Sequence, residues 1–138
     1  MKTVPKLLLL GLLASCTNAQ PCVDCPAVWG VWFLQYVAPD FPCDAGTPAD
    51  PPTTVSFTQE GSVLRAAIDG VQVVGTLFDT YDFTLSGQLP GGNTLVTVRG
   101  TYLPGSTADA GNERLQNGVL VRSTGACRDD RRFTGARY

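Results

Sequence analysis

Short runs of alternating apolar and polar residues, separated by turn signals, are the feature that most constrains the fold of this chain. Residues 81–86 read Tyr-Asp-Phe-Thr-Leu-Ser, and residues 96–99 continue in the same alternation. Alternation with a period of two is typical of β-strands that bury one face. No segment carries an apolar stripe of helical period over the length that a helix needs. We therefore expect an all-β chain.

Eight segments fit this strand pattern. The predicted strands cover residues 28–37, 53–59, 62–68, 71–78, 81–86, 96–102, 115–123 and 131–138. Most are joined by short turns, and Asp69-Gly70 between two apolar runs is the strongest hairpin signal. A run of hairpins leaves two exposed sheet edges, which an up-and-down barrel removes by closing. We predict a single eight-stranded antiparallel up-and-down barrel, with a two-sheet β-sandwich as the alternative.

The amino terminus has the layout of a secretory signal. Lys2 and Lys6 flank the start of an apolar run over residues 7–13. This run is too short to span a bilayer, which requires roughly 20 residues. A basic start followed by a short apolar stretch is typical of a signal peptide. We therefore expect the chain to be exported and this segment to be removed.

The cleavage site of this signal has two interpretations. The stretch Leu13-Ala14-Ser15-Cys16 resembles the bacterial lipobox, in which the cysteine is diacylated and becomes the first residue. The alternative is ordinary cleavage after Ala19, which would give a secreted or periplasmic protein. The lipobox is favoured because Cys16 directly follows the apolar run. It implies lipidation of Cys16, including palmitate-type acyl chains, and a membrane anchor stronger than one chain provides.

The lipobox also implies a domain organisation. Residues 1–15 are then the signal peptide, residues 16–26 a lipidated linker, and residues 27–138 the barrel domain. Thr17 stands where an aspartate would favour retention in the inner membrane of enteric bacteria. The expected location is therefore the cell envelope, with the lipid in the outer membrane.

Both cleavage sites leave four cysteines in the mature chain. In a closed antiparallel meander the first and last strands are neighbours that run in opposite directions. The end of the first strand, near Cys43, then approaches the start of the last strand, near Cys127. An oxidising compartment favours disulfides, so we expect the bridges Cys22–Cys25 and Cys43–Cys127.

Composition argues against most catalytic chemistry. The chain has no histidine, and its only lysines are Lys2 and Lys6. Histidine-based triads, imidazole metal sites and lysine Schiff bases are therefore absent from the mature chain. Carboxylate pairs such as Asp129-Asp130 lie in stretches that are typical of solvated turns. We expect a non-enzyme without a cofactor or metal.

The charge balance also bears on partners. The formal net charge is −2 at pH 7. Binding of nucleic acid requires a concentrated basic surface, and none is visible in this sequence. We expect no nucleic-acid partner.

A short motif on the first predicted strand resembles the calycin plan. Gly30-Val31-Trp32, a long loop over residues 38–52 and Arg137 near the end are arranged as in this group, which includes lipocalins, avidin-like barrels and small bacterial metalloprotease inhibitors. There the Gly-x-Trp tryptophan closes the barrel base and an arginine of the last strand packs over it. The resemblance implies barrel-closing roles for Gly30, Trp32 and Arg137. The cysteine-based register would set Trp32 opposite Tyr138, beside Arg137.

These observations lead to one main functional expectation. A lipid-anchored barrel would serve as a non-catalytic binding module for a small apolar ligand or a partner protein, since eight-stranded barrels either hold one small ligand or are filled by their own side chains. Trp29, Val31 and Phe33 form an outward apolar row, which suggests cover by the N-terminal segment, a second copy or a partner. The alternatives are a calycin-like proteinase inhibitor and a purely structural envelope protein.

Overall fold

The computed structural model describes residues 18–38, 50–106, 111–125 and 127–138. Within these residues the chain forms eight strands and no helix. They are β1 (Gly30–Tyr36), β2 (Thr54–Glu60), β3 (Val63–Ile68), β4 (Val71–Leu77), β5 (Asp82–Gln88), β6 (Thr94–Leu103), β7 (Arg114–Thr124) and β8 (Cys127–Arg137). Across this part of the chain, no helix has the length and hydropathy that crossing a membrane requires.

The strands close into a barrel. Each strand pairs antiparallel with the next one along the chain, and β8 returns to pair with β1. The predicted eight-stranded antiparallel up-and-down barrel is confirmed, and the sandwich alternative is wrong. The main difference in strand bounds is at β8, which begins at Cys127 rather than at residue 131.

Tight turns explain why neighbouring strands pair in sequence order. Asp69 and Gly70 have φ angles of 53° and 78°, and two consecutive positive φ angles are the signature of a two-residue type I′ hairpin. This turn sets Ile68 opposite Val71 and fixes the register of β3 on β4. The local sequence is therefore sufficient to determine this part of the fold.

The register of β1 on β8 differs from the sequence-based prediction by one residue. Trp32 pairs with Arg137, not with Tyr138, and the Tyr138 N–H donates to the Val31 carbonyl at 2.9 Å. The predicted register depended on Cys43, which lies beyond the end of β1 at Tyr36 and outside the described residues. Loop residues need not keep a strand's register. Because side chains alternate between faces, the one-residue change brings Arg137 onto the same face as Trp32.

Apolar side chains fill the interior of the barrel. Buried aromatic rings meet edge to face, with centroids 6.2 Å apart for Trp32 and Tyr102 and 6.0 Å apart for Phe57 and Phe83. Full burial of a large apolar side chain stabilises a fold by roughly 1.5–3 kcal/mol. The largest fully buried side chains are Trp32, Phe83, Leu64, Ile68, Leu77, Leu85, Leu115 and Leu120.

The segment before β1 crosses one end of the barrel, which we call the base. The base is the end where β1 begins, and the opposite end is called the mouth. The Cys22 N–H donates to the Leu77 carbonyl at 3.0 Å, and the Asp79 N–H donates to the Gln20 carbonyl at 2.9 Å. Farther along, the Val28 side chain is fully buried. The segment therefore runs from the end of β4 across the base to β1.

Candidate functional site

Trp32 and Arg137 meet at the base. The Trp32 ring is fully buried, and its Nε1–H donates to the Val28 carbonyl at 2.9 Å. The Cζ atom of Arg137 lies 4.6 Å from the Trp32 ring centroid, which is within the range of a cation–π interaction. The structure thus brings together the two side chains to which the calycin resemblance assigns barrel closure.

The Arg137 guanidinium also holds the segment before β1. Nη1 donates to the Trp29 carbonyl and Nη2 to the Ala27 carbonyl, while Nε donates to Glu113 Oε2 at 2.9 Å. Gly30 has a φ of 119°, and a Cβ at this position would lie 3.0 Å from Arg137 Nη1. Gly30 therefore allows both the positive φ and the close approach of the guanidinium. Trp32, Arg137 and Gly30 together hold the segment before β1 in place, and we call this group of residues the clamp.

The predicted cysteine roles are tested only in part. Cys22 and Cys25 form a disulfide in the segment that crosses the base. Cys127 is also disulfide-bonded, but Cys43 lies outside the described residues, so the Cys43–Cys127 pairing stays a prediction. Cys16 lies outside the described residues as well, and its lipidation is likewise a prediction.

An ion network occupies the mouth. Asp129 on β8 is 2% exposed and accepts hydrogen bonds from Arg122 and from Arg131, with Nε of Arg131 at 3.2 Å. Arg122 extends to Asp69 at 2.9 Å, and Arg131 extends to Asp50 at 2.9 Å. Alternating charges therefore cross the mouth from the β3–β4 turn to the residues before β2.

The described members of the network all have hydrogen-bond partners. It holds three carboxylates and two guanidiniums, counted over the described residues. No buried side-chain nitrogen or oxygen in the described ranges lacks a hydrogen-bond partner, and none of the acidic and cysteine side chains described there cluster as a metal site would require. Removing one of the two most buried members, Asp129 or Arg131, typically costs about 3–5 kcal/mol, because the other charge is left without its partner. The geometry therefore suits a structural closure of the mouth better than an open anion site.

The sequence analysis missed this network. It treats Asp129 and Asp130 as solvated turn residues, and this is wrong for Asp129, which lies inside β8 and faces the interior. The missed signal is the period of two along the strand. Asp129 and Arg131 are four and two positions before the buried Phe133, so all three side chains lie on the interior face. The partner Arg122 is seven positions from Asp129 and stands opposite it in the β7–β8 pairing. The long-range member is Asp69, which is 53 positions from Arg122.

Tyr36 packs against the network from β1. Its hydroxyl donates to the Pro52 carbonyl at 2.9 Å, and its ring meets Phe133 with centroids 5.8 Å apart. Burial raises the pKa of Tyr36 to about 12; Asp69 adds to the increase, while Arg122 and Arg131 oppose it. The phenol is therefore held neutral at any physiological pH.

A groove follows the outer face of the barrel over the β1–β8 seam. Two depressions of about 270 and 660 Å³ succeed one another there, and Gln35 lines both. A third depression of about 490 Å³ lies at the mouth, where Tyr36, Arg131 and the residues before β2 line it. A bulge in β7 between Leu115 and Gly118 interrupts the ladder beside the groove. We call this surface the seam groove and define it by Phe33, Gln35, Val37, Asn117, Thr134 and Ala136.

The outward apolar row on β1 is largely open to solvent. Trp29 is 59% exposed, Val31 37% and Phe33 44%. The Phe33 ring packs on Tyr138, with centroids 4.9 Å apart. The described part of the N-terminal segment crosses the base and does not cover this row, so this possible cover is not observed.

Comparisons with protein-family models, with curated proteins and with solved structures give no match for this chain. The calycin resemblance therefore rests on the residues that carry it and stays a hypothesis. The closed eight-stranded barrel itself does not depend on that hypothesis.

Replacing Arg137 tests the clamp at the base. Arg137→Ala should lower the free energy of unfolding by about 2–3 kcal/mol, because it removes a cation–π contact and charge-assisted hydrogen bonds. Arg137→Lys should recover only part of this loss, because an ammonium lacks the planar fork. Arg132→Ala, at an exposed position on the same strand, should change little. Denaturant midpoints measure all three, and an unchanged midpoint for Arg137→Ala would contradict the clamp.

The raised pKa of Tyr36 predicts a loss of stability at alkaline pH. The ordinary value of 10.0 applies to the unfolded chain, and the folded value is about 12. The folded state thus keeps a proton that the unfolded state releases, so stability is complete below the unfolded pKa and falls as the pH rises towards the folded pKa. Tyr36→Phe should reduce this alkaline slope. Urea unfolding across this pH range gives the slope; equal slopes for the parent and Tyr36→Phe would refute the prediction.

Proposed function

We propose that this chain is a lipid-anchored, non-catalytic binding module of the cell envelope, and that it binds a partner protein along the seam groove. The observation that carries this proposal is the packing of the side chains that the described strands direct into the barrel. The Trp32–Arg137 clamp lies at the base, apolar side chains pack the middle, and the network around Asp129 crosses the mouth. A small apolar ligand would have to displace these groups, so binding at the outer surface is favoured.

The seam groove has the mixed character of a protein-binding surface. Phe33 and Val37 are exposed apolar side chains, and Gln35, Asn117 and Thr134 are exposed polar neighbours. Protein interfaces commonly combine an apolar centre with a polar rim. Within the described residues, the opposite wall presents, by contrast, the single large apolar side chain of Val74 on β4, and its neighbours Gln72 and Thr84 are polar. The seam groove is therefore the surface we favour for a partner.

The envelope location is supported by the sequence. A basic start, a short apolar run and the lipobox-like Leu13-Ala14-Ser15-Cys16 indicate export and lipidation. The Cys22–Cys25 disulfide fits an oxidising compartment. We propose the outer membrane as the site of the anchor, with a secreted or periplasmic protein as the alternative.

The geometry does not favour the proteinase-inhibitor alternative. An inhibitor of that type inserts a free N-terminal segment into the cleft of an enzyme. Here the disulfide and the hydrogen bonds at Gln20 and Cys22 hold the described N-terminal segment on the base. A purely structural role in the envelope is the remaining alternative, and the experiment below distinguishes it.

Site-specific photocrosslinking in the organism that makes the protein tests the proposal. A photoreactive phenylalanine analogue replaces Thr134 in the seam groove or, as a matched control, Thr84 on the opposite wall; both positions are exposed on strands. We expect a discrete protein adduct from position 134 and none from position 84. Equal adducts from both positions would contradict the groove, and no adduct from either would favour a structural role. Native mass spectrometry of the purified protein completes the test, because a stoichiometric apolar small molecule would contradict a filled interior.

A further inference from the structure

We propose that the base of the barrel lies in the membrane interface and that the mouth points away from the membrane. This inference rests on the lipid anchor proposed above and adds an orientation and a second binding surface. The surface is an exposed apolar rim, which we call the base rim. Its members, with their exposed fractions, are Val23 (94%), Trp29 (59%), Tyr81 (37%), Leu103 (37%) and Tyr138 (82%).

The fold places all five side chains at one end of the barrel. Trp29 directly precedes β1, Leu103 ends β6 and Tyr138 follows β8, while Tyr81 lies in the β4–β5 turn and Val23 lies within the disulfide loop. Three of the five are tryptophan or tyrosine, the residues that concentrate at membrane–water interfaces because their rings are amphipathic. Around the mouth, the large apolar side chains that are exposed in the described ranges are the aliphatic Val37, Leu89 and Leu95.

The path of the chain brings the anchor to the same end. The Gln20 carbonyl accepts a hydrogen bond from the Asp79 N–H, and the Cys22 N–H donates to the Leu77 carbonyl. These two hydrogen bonds fix the N-terminal segment on the base. Cys16 precedes Gln20 by four positions. An extended chain of four residues spans at most about 14 Å. A lipid on Cys16 would therefore hold the base, and not the mouth, against the bilayer.

The backbone conformation at Tyr81 supports the base rim as a binding surface. Tyr81 has a φ of 66°, which is uncommon for a bulky residue other than glycine and carries a conformational cost. Its ring packs on Tyr102 with centroids 6.3 Å apart, while the side chain remains exposed at the rim. The β4–β5 turn thus has a strained backbone at Tyr81, and this conformation leaves an aromatic ring exposed at the base.

The charges at the base indicate which lipid surface fits. The exposed Asp24, Asp79 and Asp82 lie at this end, together with the exposed Arg114. In the described ranges these acidic side chains outnumber the arginine, so an anionic bilayer would repel the surface more than attract it. The expected occupant is therefore a neutral, zwitterionic lipid surface, bound through apolar contact that changes little with salt.

Fluorescence quenching by brominated lipid tests the orientation. The lipidated full-length mature protein is reconstituted into phosphatidylcholine vesicles that carry bromine on the acyl chains. Trp29 and Trp32 are the only tryptophans, and Trp32 is fully buried and serves as an internal reference. We expect the Trp29 emission to be lower in the brominated vesicles than in unbrominated ones, because interfacial rings reach the boundary of the acyl chains, and the quenching to disappear in Trp29→Phe.

Two reporter variants in the Trp29→Phe background complete the test. Tyr138→Trp, on the base rim, should restore quenching, whereas Leu95→Trp, near the mouth, should remain unquenched. Protein that floats with the vesicles but shows no quenching at position 29 or 138 overturns the orientation and leaves the anchor intact, and quenching at position 95 also overturns it. Protein that neither floats nor carries lipid on Cys16 by mass spectrometry shows instead that the anchor proposal has failed.

Discussion

The pairing of β1 with β8 is the contact on which the rest of the structure depends. It turns a chain of hairpins into a closed barrel and sets Trp32 opposite Arg137 and Tyr36 opposite Phe133. Because side chains alternate along a strand, a shift of one residue at this seam would turn Arg137 outward and leave the Trp32 ring without its cation. The clamp on the N-terminal segment, the packing of the core and the position of Tyr36 near the mouth all follow from this single register.

Closure gives the two ends of the barrel different chemistry. At the base, an arginine binds a buried tryptophan and the carbonyls of the crossing segment, and exposed aromatic side chains surround them. At the mouth, Asp129 joins two arginines whose other partners lie on the turns and loops. Apolar side chains of the described strands pack between the two ends, which is why we favour recognition at surfaces on the outside of the barrel. The seam groove and the base rim are two such surfaces, and they face different kinds of partner.

Local sequence was sufficient to predict the strands and their order, because alternation and turn residues such as Asp69-Gly70 act over a few positions. The contact between Arg137 and Trp32 was predicted from the calycin resemblance, and the cysteine-based register placed the two strands one residue away from the observed pairing. The burial of Asp129 was not predicted, because the predicted last strand began at residue 131 and left Asp129 outside it, whereas β8 begins at Cys127. The compensating charges come from Arg122, which stands opposite Asp129 in the β7–β8 pairing, and from Arg131, two positions along β8.

Cross-strand contacts in a nuclear Overhauser spectrum test the seam most directly. The Val37 N–H donates to the Arg132 carbonyl and the Tyr138 N–H to the Val31 carbonyl, so Leu34 and Gly135 form a pair without mutual hydrogen bonds, in which the Cα atoms approach closely. The account predicts a strong cross-peak between the Hα protons of Leu34 and Gly135. A cross-peak from Leu34 to Ala136 in its place, or no contact between β1 and β8, would contradict the register or the closure of the barrel.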